Sequence, residues 1–210
     1  MARVRQRGSG MKGESGRKSG LDERWGFLVP HLKLFRRSSL IVITALGRSF
    51  SRKFHVRELA RSLGYDVSII SKNLKQLEEI GLLTHEDVGN LVFYQADMNS
   101  VLLRQMKIFL TLLELNDLRK DLERVTTNLI LYGSCARGED THESDIDLFI
   151  ETLDKEAVRE ILGRHQRVMA RALSPVVSTP DEAYRIKAEE SALFQSIQQG
   201  IILQQGVHVA

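Results

Sequence analysis

The sequence has one cysteine, Cys135, so no internal disulfide can form; a disulfide-stapled scaffold is excluded and a reducing cytoplasm is the expected location. No apolar run approaches the ~18 residues that a membrane span requires. The basic start is not followed by the apolar stretch of ~7–15 residues that marks a secretory signal. No self-similarity recurs at the ~20–50 residue periods of solenoids and propellers. The six histidines (His31, His55, His85, His142, His165 and His208) show no metal-ligand spacing, so no zinc site is expected. What remains is 210 residues, 42% apolar and 27% charged, enough for one large globular domain or two small ones.

The net charge of +3 is unevenly spread. Residues 1–20, rich in Gly, Ser and Arg, carry six basic residues against Glu14. This tail reads either as a disordered N-terminus, which buries nothing that would offset its ordering entropy, or as an arm that attracts phosphate. Residues 21–97 have 11 Lys and Arg against 9 Asp and Glu, and residues 98–210 have 13 against 17. The front half is therefore slightly basic and the back half acidic.

In residues 21–37, Trp25, Leu28, Leu32 and Phe35 recur at helical spacing, and Pro30 is expected to kink or end that helix. This stretch is expected to pack on the following domain. A helix is predicted over 38–48, a short strand over 53–56, a compact helix over 57–63 closed by Gly64, and a second helix over 67–80 with Asp66 as its N-cap. On the second helix Ile70, Leu74 and Leu77 form an apolar stripe, while Ser68, Lys72, Lys75 and Gln76 lie roughly opposite. That polar face suits a major groove, with lysine on phosphate or guanine and glutamine on adenine; any solvated helix shows a similar division. Strands over 82–86 and 91–95, joined by Asp87–Asn90, complete a helix, turn, helix and hairpin. Residues 38–96, with SIISKNLKQLEEIGLL at their centre, resemble the winged helix-turn-helix of bacterial and archaeal transcriptional regulators. The resemblance implies double-stranded DNA as a partner. Glu86 and Asp87 at the wing tip depart from the usual basic wing and would repel phosphate, which leaves a protein-binding winged helix open.

Residues 98–124 place Leu102, Met106, Phe109, Leu110, Leu113, Leu118 and Leu122 on one helical face, with a break near Asn116. Such a stripe reads as core between domains, and its position also suits the seam of a homodimer.

The sharpest pattern follows. An apolar strand over 128–132 runs into Gly133-Ser134 and a short helix expected near Cys135. Backbone N–H groups at such a corner, with a glycine permitting close approach, can meet phosphate oxygens, and Arg137 adds a cationic fork. Cys135 reads either as a thiol activated at that turn or as a small buried side chain, the second being the plainer reading. Ten residues after Ser134, Asp145-Ile-Asp147 begins a second strand. Side chains two apart share a face, so the two carboxylates stand together while Ile146, Leu148 and Ile150 point inward. A divalent cation relieves their repulsion, and Mg²⁺ is usually held by one or two carboxylates together with substrate phosphates.

The string GSCARGEDTHESDIDLFI resembles the signature of the DNA polymerase beta superfamily, in its minimal nucleotidyltransferase branch from archaea and bacteria. The resemblance implies that Gly133 and Ser134 hold a nucleoside triphosphate and that Asp145 and Asp147 bind catalytic Mg²⁺, with Arg137 as a phosphate contact. It also implies a third carboxylate on a later strand, yet LSPVVST (173–179) contains none; Asp181 and Glu182 just beyond it suit the first turn of the next helix.

The expected architecture is α+β with two domains: a basic tail (1–20), a winged helix-turn-helix (21–97), a helical linker (98–125) and a small α/β nucleotidyltransferase-like domain with a mixed sheet (126–210). Three functions fit. One is an enzyme moving a nucleotidyl group to a protein or nucleic-acid hydroxyl, and another is a regulator whose transferase domain senses nucleotide. The third, which the family resemblance implies, is an antitoxin-like protein acting on a separately encoded toxin.

Overall fold

The computed structural model describes residues 26–189 and 192–205; the basic tail of residues 1–20, Trp25 and His208 lie outside the described residues. The chain divides into two compact units, Met1–Arg36 and Arg37–Ala210. In the first, Gly26–Phe35 form a single 3-10 helix. The break expected at Pro30 does not occur.

The second unit opens with helix α1 (Arg37–Arg48) and strand β1 (Phe54–His55), then helices α2 (Val56–Leu63) and α3 (Val67–Glu79). Gly64 ends α2 at φ 70, ψ 31, and its N–H bonds the Ala60 carbonyl, a left-handed cap open to glycine at least cost. Asp66 caps α3 by accepting from the Ser68 N–H at 2.7 Å. Val42, Ile43 and Leu46 of α1 pack with Leu59, Ile70, Leu74 and Leu77, all nearly inaccessible to solvent. Gly47 lies inside α1, next to its last residue. The Lys107 side chain stands 3.4 Å from where a Cβ at this glycine would be.

Strands β2 (Leu83–Val88) and β3 (Leu91–Ala96) form the hairpin, and β1 joins it in the antiparallel order β1-β3-β2. The turn is shorter than expected. Val88 pairs with Leu91, so only Gly89 and Asn90 are unpaired, with Gly89 at φ 61, as a two-residue hairpin turn demands. Helix, helix and wing in this order are a winged helix-turn-helix.

Helices α4 (Val101–Glu114) and α5 (Asn116–Leu122) come next, broken at Leu115 as the sequence predicts. The buried face of α4 differs from the expected stripe. It carries Leu103, Met106, Lys107 and Thr111, while Leu102, Phe109 and Leu113 are 45%, 40% and 54% exposed. The reason is electrostatic: Lys107 and Thr111 turn inward to meet buried ionic partners described below.

The remaining elements are β4 (Asn128–Tyr132), α6 (Gly133–Arg137), β5 (Ile146–Glu151), α7 (Lys155–Gln166), β6 (Leu173–Ser178), α8 (Pro180–Ala188), α9 (Ala192–Gln198) and β7 (Ile201–Gln205). They form a sheet of order β6-β5-β4-β7. The β5–β6 pair is parallel and the other two are antiparallel, which makes the mixed sheet that was expected. Alternation along the strands gives two apolar layers. Leu129, Leu131, Leu148 and Ile150 pack toward Leu118, Leu122, Val158 and Ile161, whereas Ile130, Tyr132 and Phe149 pack toward Ile197 and Ala183. Asp145, Asp147, Phe149 and Glu151 alternate onto this second face. The whole is α+β, a winged helix followed by a small α/β domain.

Candidate active site and nucleic-acid interface

The Gly-Ser turn and the aspartates meet because β4 and β5 are antiparallel neighbours. Tyr132 is the register partner of Asp147, so the residue after Tyr132 falls directly over that carboxylate. Gly133 adopts φ 70, and a Cβ there would lie 2.2 Å from Asp147 Oδ2. The positive φ favours glycine by torsional strain, and a Cβ would also force the end of the Asp147 side chain to turn away. Helix α6 starts at Gly133 itself, two residues before the expected start.

Asp145 is exposed and Asp147 half-buried. Burial, then the charge of Asp145, raise the Asp147 carboxyl above its ordinary value, while a hydrogen bond with Ser174 and the charge of Arg137 pull it back. Two neighbouring carboxylates, that of Asp147 with raised proton affinity, are a donor set that a divalent cation would suit, and Asp145 and Asp147 are the residues that would hold it. Among the described residues, no group of three or more His, Cys, Asp and Glu is placed to hold a metal. The position beside Asp147 on β6, where a third carboxylate would stand, is Ser174. Glu182 instead completes a capping box with Thr179 and pairs with Lys155, which accounts for the acidic residues beyond β6. Arg137 is exposed and donates to Glu139 Oε2 at 2.7 Å. An incoming phosphate would therefore compete with Glu139 for this guanidinium.

Beneath the turn lies a buried ionic cluster that sequence reasoning missed. Arg171, 5% exposed, donates to Glu114 Oε2 at 2.8 Å, Asp140 Oδ2 at 2.9 Å, Thr111 Oγ1 at 3.2 Å and Cys135 Sγ at 3.4 Å. Arg48, at the end of α1, donates to the same oxygens, Glu114 Oε2 at 2.8 Å and Asp140 Oδ2 at 3.2 Å. Lys107 Nζ donates to the Asp140 carbonyl at 2.7 Å. Burial alone would raise the Glu114 carboxyl, but hydrogen bonds from Arg171 and Arg48 outweigh it and hold it below the ordinary value. Burial pushes the Lys107 amine down against the pull of Asp140. Burial pushes the Cys135 thiol up, so the plainer reading of this residue stands. Its Sγ donates to the Asp145 carbonyl at 3.4 Å, which links the cluster to the aspartate strand. The sequence signal was charge at Lys107 and Glu114 within a largely apolar helical pattern.

On α3, Ser68, Lys72 and Lys75 are exposed and Gln76 is half-buried, so the four lie on the solvent side. The Ser68 hydroxyl is already engaged, donating to Asp66 Oδ1 at 2.5 Å. Val67 and Ile69 are also exposed, two apolar side chains outside the stripe of Ile70, Leu74 and Leu77. Of the wing acids, Glu86 pairs with Lys53 and so carries less free charge than its sequence position suggested. His85, one residue earlier, pairs with Glu78 of α3; hydrogen bonding to that carboxylate raises the imidazole above its ordinary value. Among the described residues no helix is long and apolar enough to cross a membrane.

With this geometry in place, the comparisons with known proteins add a class. Residues 113–197 match the family model of the nucleotidyltransferase domain. That span takes in the Gly-Ser turn, both aspartates and all but the last strand of the mixed sheet. Residues 113–197 are thus similar to the nucleotidyltransferase domain family, and in the chain they follow a winged helix-turn-helix. No match is found among curated proteins. Similar solved structures include an antimony-specific transcriptional repressor, AntR (23% identity, 52% of this chain and 98% of that one, TM-score 0.37). Two others are the transcriptional regulator HlyU from Vibrio vulnificus CMCP6 (22%, 44% and 93%, TM-score 0.32) and apo-NmtR (17%, 53% and 89%, TM-score 0.34).

Proposed function

We propose that the protein is a DNA-binding winged-helix protein whose second domain transfers a nucleotidyl group from a nucleoside triphosphate to a protein or nucleic-acid hydroxyl. The observation that carries this reading is the Gly133-Ser134 turn lying over Asp147 in a domain of the nucleotidyltransferase family. The turn and Arg137 bind phosphate oxygens, and Asp145 and Asp147 hold a divalent cation, for which Mg²⁺ is the natural choice. Such a cation, when bound, neutralises charge on the triphosphate. In the transfer, the acceptor oxygen bonds to the α-phosphorus, the bond to the β-phosphate oxygen breaks, pyrophosphate leaves with the electron pair, and the acceptor proton passes to water. On α3, Lys72 and Lys75 meet the DNA, with Ser68 and Gln76 beside them. The test is transfer of labelled nucleotide from each of the four triphosphates to candidate acceptors. Label transfer abolished by Asp145→Ala supports the reading, and no transfer from any of the four, unchanged by that substitution, overturns it.

A second reading is favoured by Ser174. A hydroxyl beside Asp147 supplies neither a third ligand nor a carboxylate base for the acceptor, so a domain that binds nucleotide and only senses it fits the same residues. It would show nucleotide-dependent DNA binding, altered by Asp147→Ala, without label transfer.

A further inference from the structure

The face of the sheet that carries Asp147 continues away from the turn into a cavity of about 490 Å³ beneath α8 and α9. Its floor is apolar, formed by Ile130, Phe149 and Ile197. Its rim is polar, with Asn128 and Glu151, register partners on β4 and β5, opposite Lys187 of α8. Asn128 Oδ1 is shielded from solvent and has no hydrogen-bond partner. A buried acceptor without a partner is costly, and a ligand donor would remove that cost. Strand geometry relates this cavity to the aspartates. Phe149 lies about 7 Å and Glu151 about 13 Å from Asp147 along β5, the direction and range over which a nucleotide extends from its α-phosphate through the sugar to the base.

We infer that this cavity is a nucleobase site, taking the purine of the triphosphate whose phosphates lie at Gly133-Ser134. The chemistry matches at three points. A flat heteroaromatic ring suits a floor of Phe149, Ile130 and Ile197. Purine N–H donors suit the Asn128 oxygen and the Glu151 carboxylate, whose Oε1 already accepts from Thr127 at 3.0 Å. A ring acceptor suits Lys187. The inference rests on the proposed phosphate site for the ligand's identity, but the cavity itself is tested independently of it.

The experiment is calorimetry on the full chain with Mg²⁺, using ATP, GTP, CTP, UTP, inorganic tripolyphosphate, adenosine and guanosine as probes. Ala183→Phe fills the cavity from α8, and Asn128→Leu removes the free acceptor; thermal melts confirm that each variant folds. For the wild type, a purine triphosphate should bind at least tenfold more tightly than tripolyphosphate. Ala183→Phe should remove most of that advantage and abolish nucleoside binding, with tripolyphosphate affinity changed less than twofold. Asn128→Leu should narrow the preference for purine over pyrimidine, which a purely structural role would not do, and it decides the matter if Ala183→Phe does not fold. Nucleoside binding that survives Asp147→Ala, with tripolyphosphate not bound at all, would support the cavity and sink the phosphate reading. The inference is overturned if triphosphates bind no better than tripolyphosphate, if both variants leave the difference intact, or if nothing binds.

Discussion

At Gly133 two independent constraints converge, a positive φ and the Asp147 carboxylate occupying the place of a Cβ. Gly133→Ala should therefore destabilise the protein by about 2 kcal/mol or more, since strain at such a torsion alone costs about 1–3 kcal/mol. Urea unfolding would measure this, and a loss below about 0.5 kcal/mol would contradict the tight packing. Asp147 presents the opposite case. Its charge is held against burial and against Asp145, so the metal-free protein bears a cost that Asp147→Asn removes. A rise in Tm of about 1–3 °C is expected for that variant. The Mg²⁺-dependent rise expected of the wild type should be lost with it. Scanning calorimetry with and without Mg²⁺ checks both. That these residues belong to a turn and to an alternating strand was legible in the sequence, because both are local patterns, while the roles expected of them came from a family resemblance. Ser174 was not legible as their neighbour: its place beside Asp147 depends on the parallel register of β5 and β6, which no local pattern encodes.

The same division between local and distant information holds for the elements. The boundaries of β4, the caps of α2 and α3 and the break between α4 and α5 follow from glycine, aspartate and apolar periodicity, all within a turn or two of chain. The face that α4 buries does not. Leu102, Phe109 and Leu113 were expected inside, but Lys107 and Thr111 took their place because Asp140 and Arg171, distant in sequence, are partnered there. Removing one member of a buried ionic cluster leaves the others unpaired, at about 3–5 kcal/mol. Arg171→Met should reach that range in denaturant unfolding, and a value under about 1 kcal/mol would show that the cluster is not a unit. Glu114 gives this cluster a pH dependence. Its folded carboxyl lies below the ordinary value of 4.5, so as pH falls the unfolded state takes up the proton first. The stability contributed by Glu114 is complete above that value and is lost as pH falls through the folded one. Glu114→Gln should flatten this acid limb in melts between pH 3 and pH 6 while leaving the slope near pH 7 unchanged.

On the scale of the molecule, the cluster joins the winged helix to the domain of the mixed sheet through few atoms. Arg48 ends the first helix of the winged helix, and through Glu114 and Asp140 it shares oxygens with Arg171, whose guanidinium reaches Cys135 under the Gly133-Ser134 turn. If nucleotide shifts the turn, the shift is felt first at Arg171 and Asp140 and next at Arg48. Binding linkage then requires reciprocity: whatever factor nucleotide with Mg²⁺ imposes on DNA affinity, DNA must impose on nucleotide affinity. Couplings of this kind are typically about 5–150-fold. The measurement is fluorescence anisotropy on a duplex selected from a random pool, with and without saturating purine triphosphate, and calorimetry of the triphosphate with and without that duplex. The two ratios should agree, and each should exceed about fivefold. Arg48→Gln should bring both toward unity while leaving DNA affinity without nucleotide within about threefold, because Arg48 touches neither ligand site. Lys72→Ala with Lys75→Ala should instead weaken DNA binding at every nucleotide concentration and leave the ratio intact. A coupling that survives Arg48→Gln would mean that the two domains communicate by another route, and no coupling in the wild type would mean that the shared ion cluster is only a structural joint.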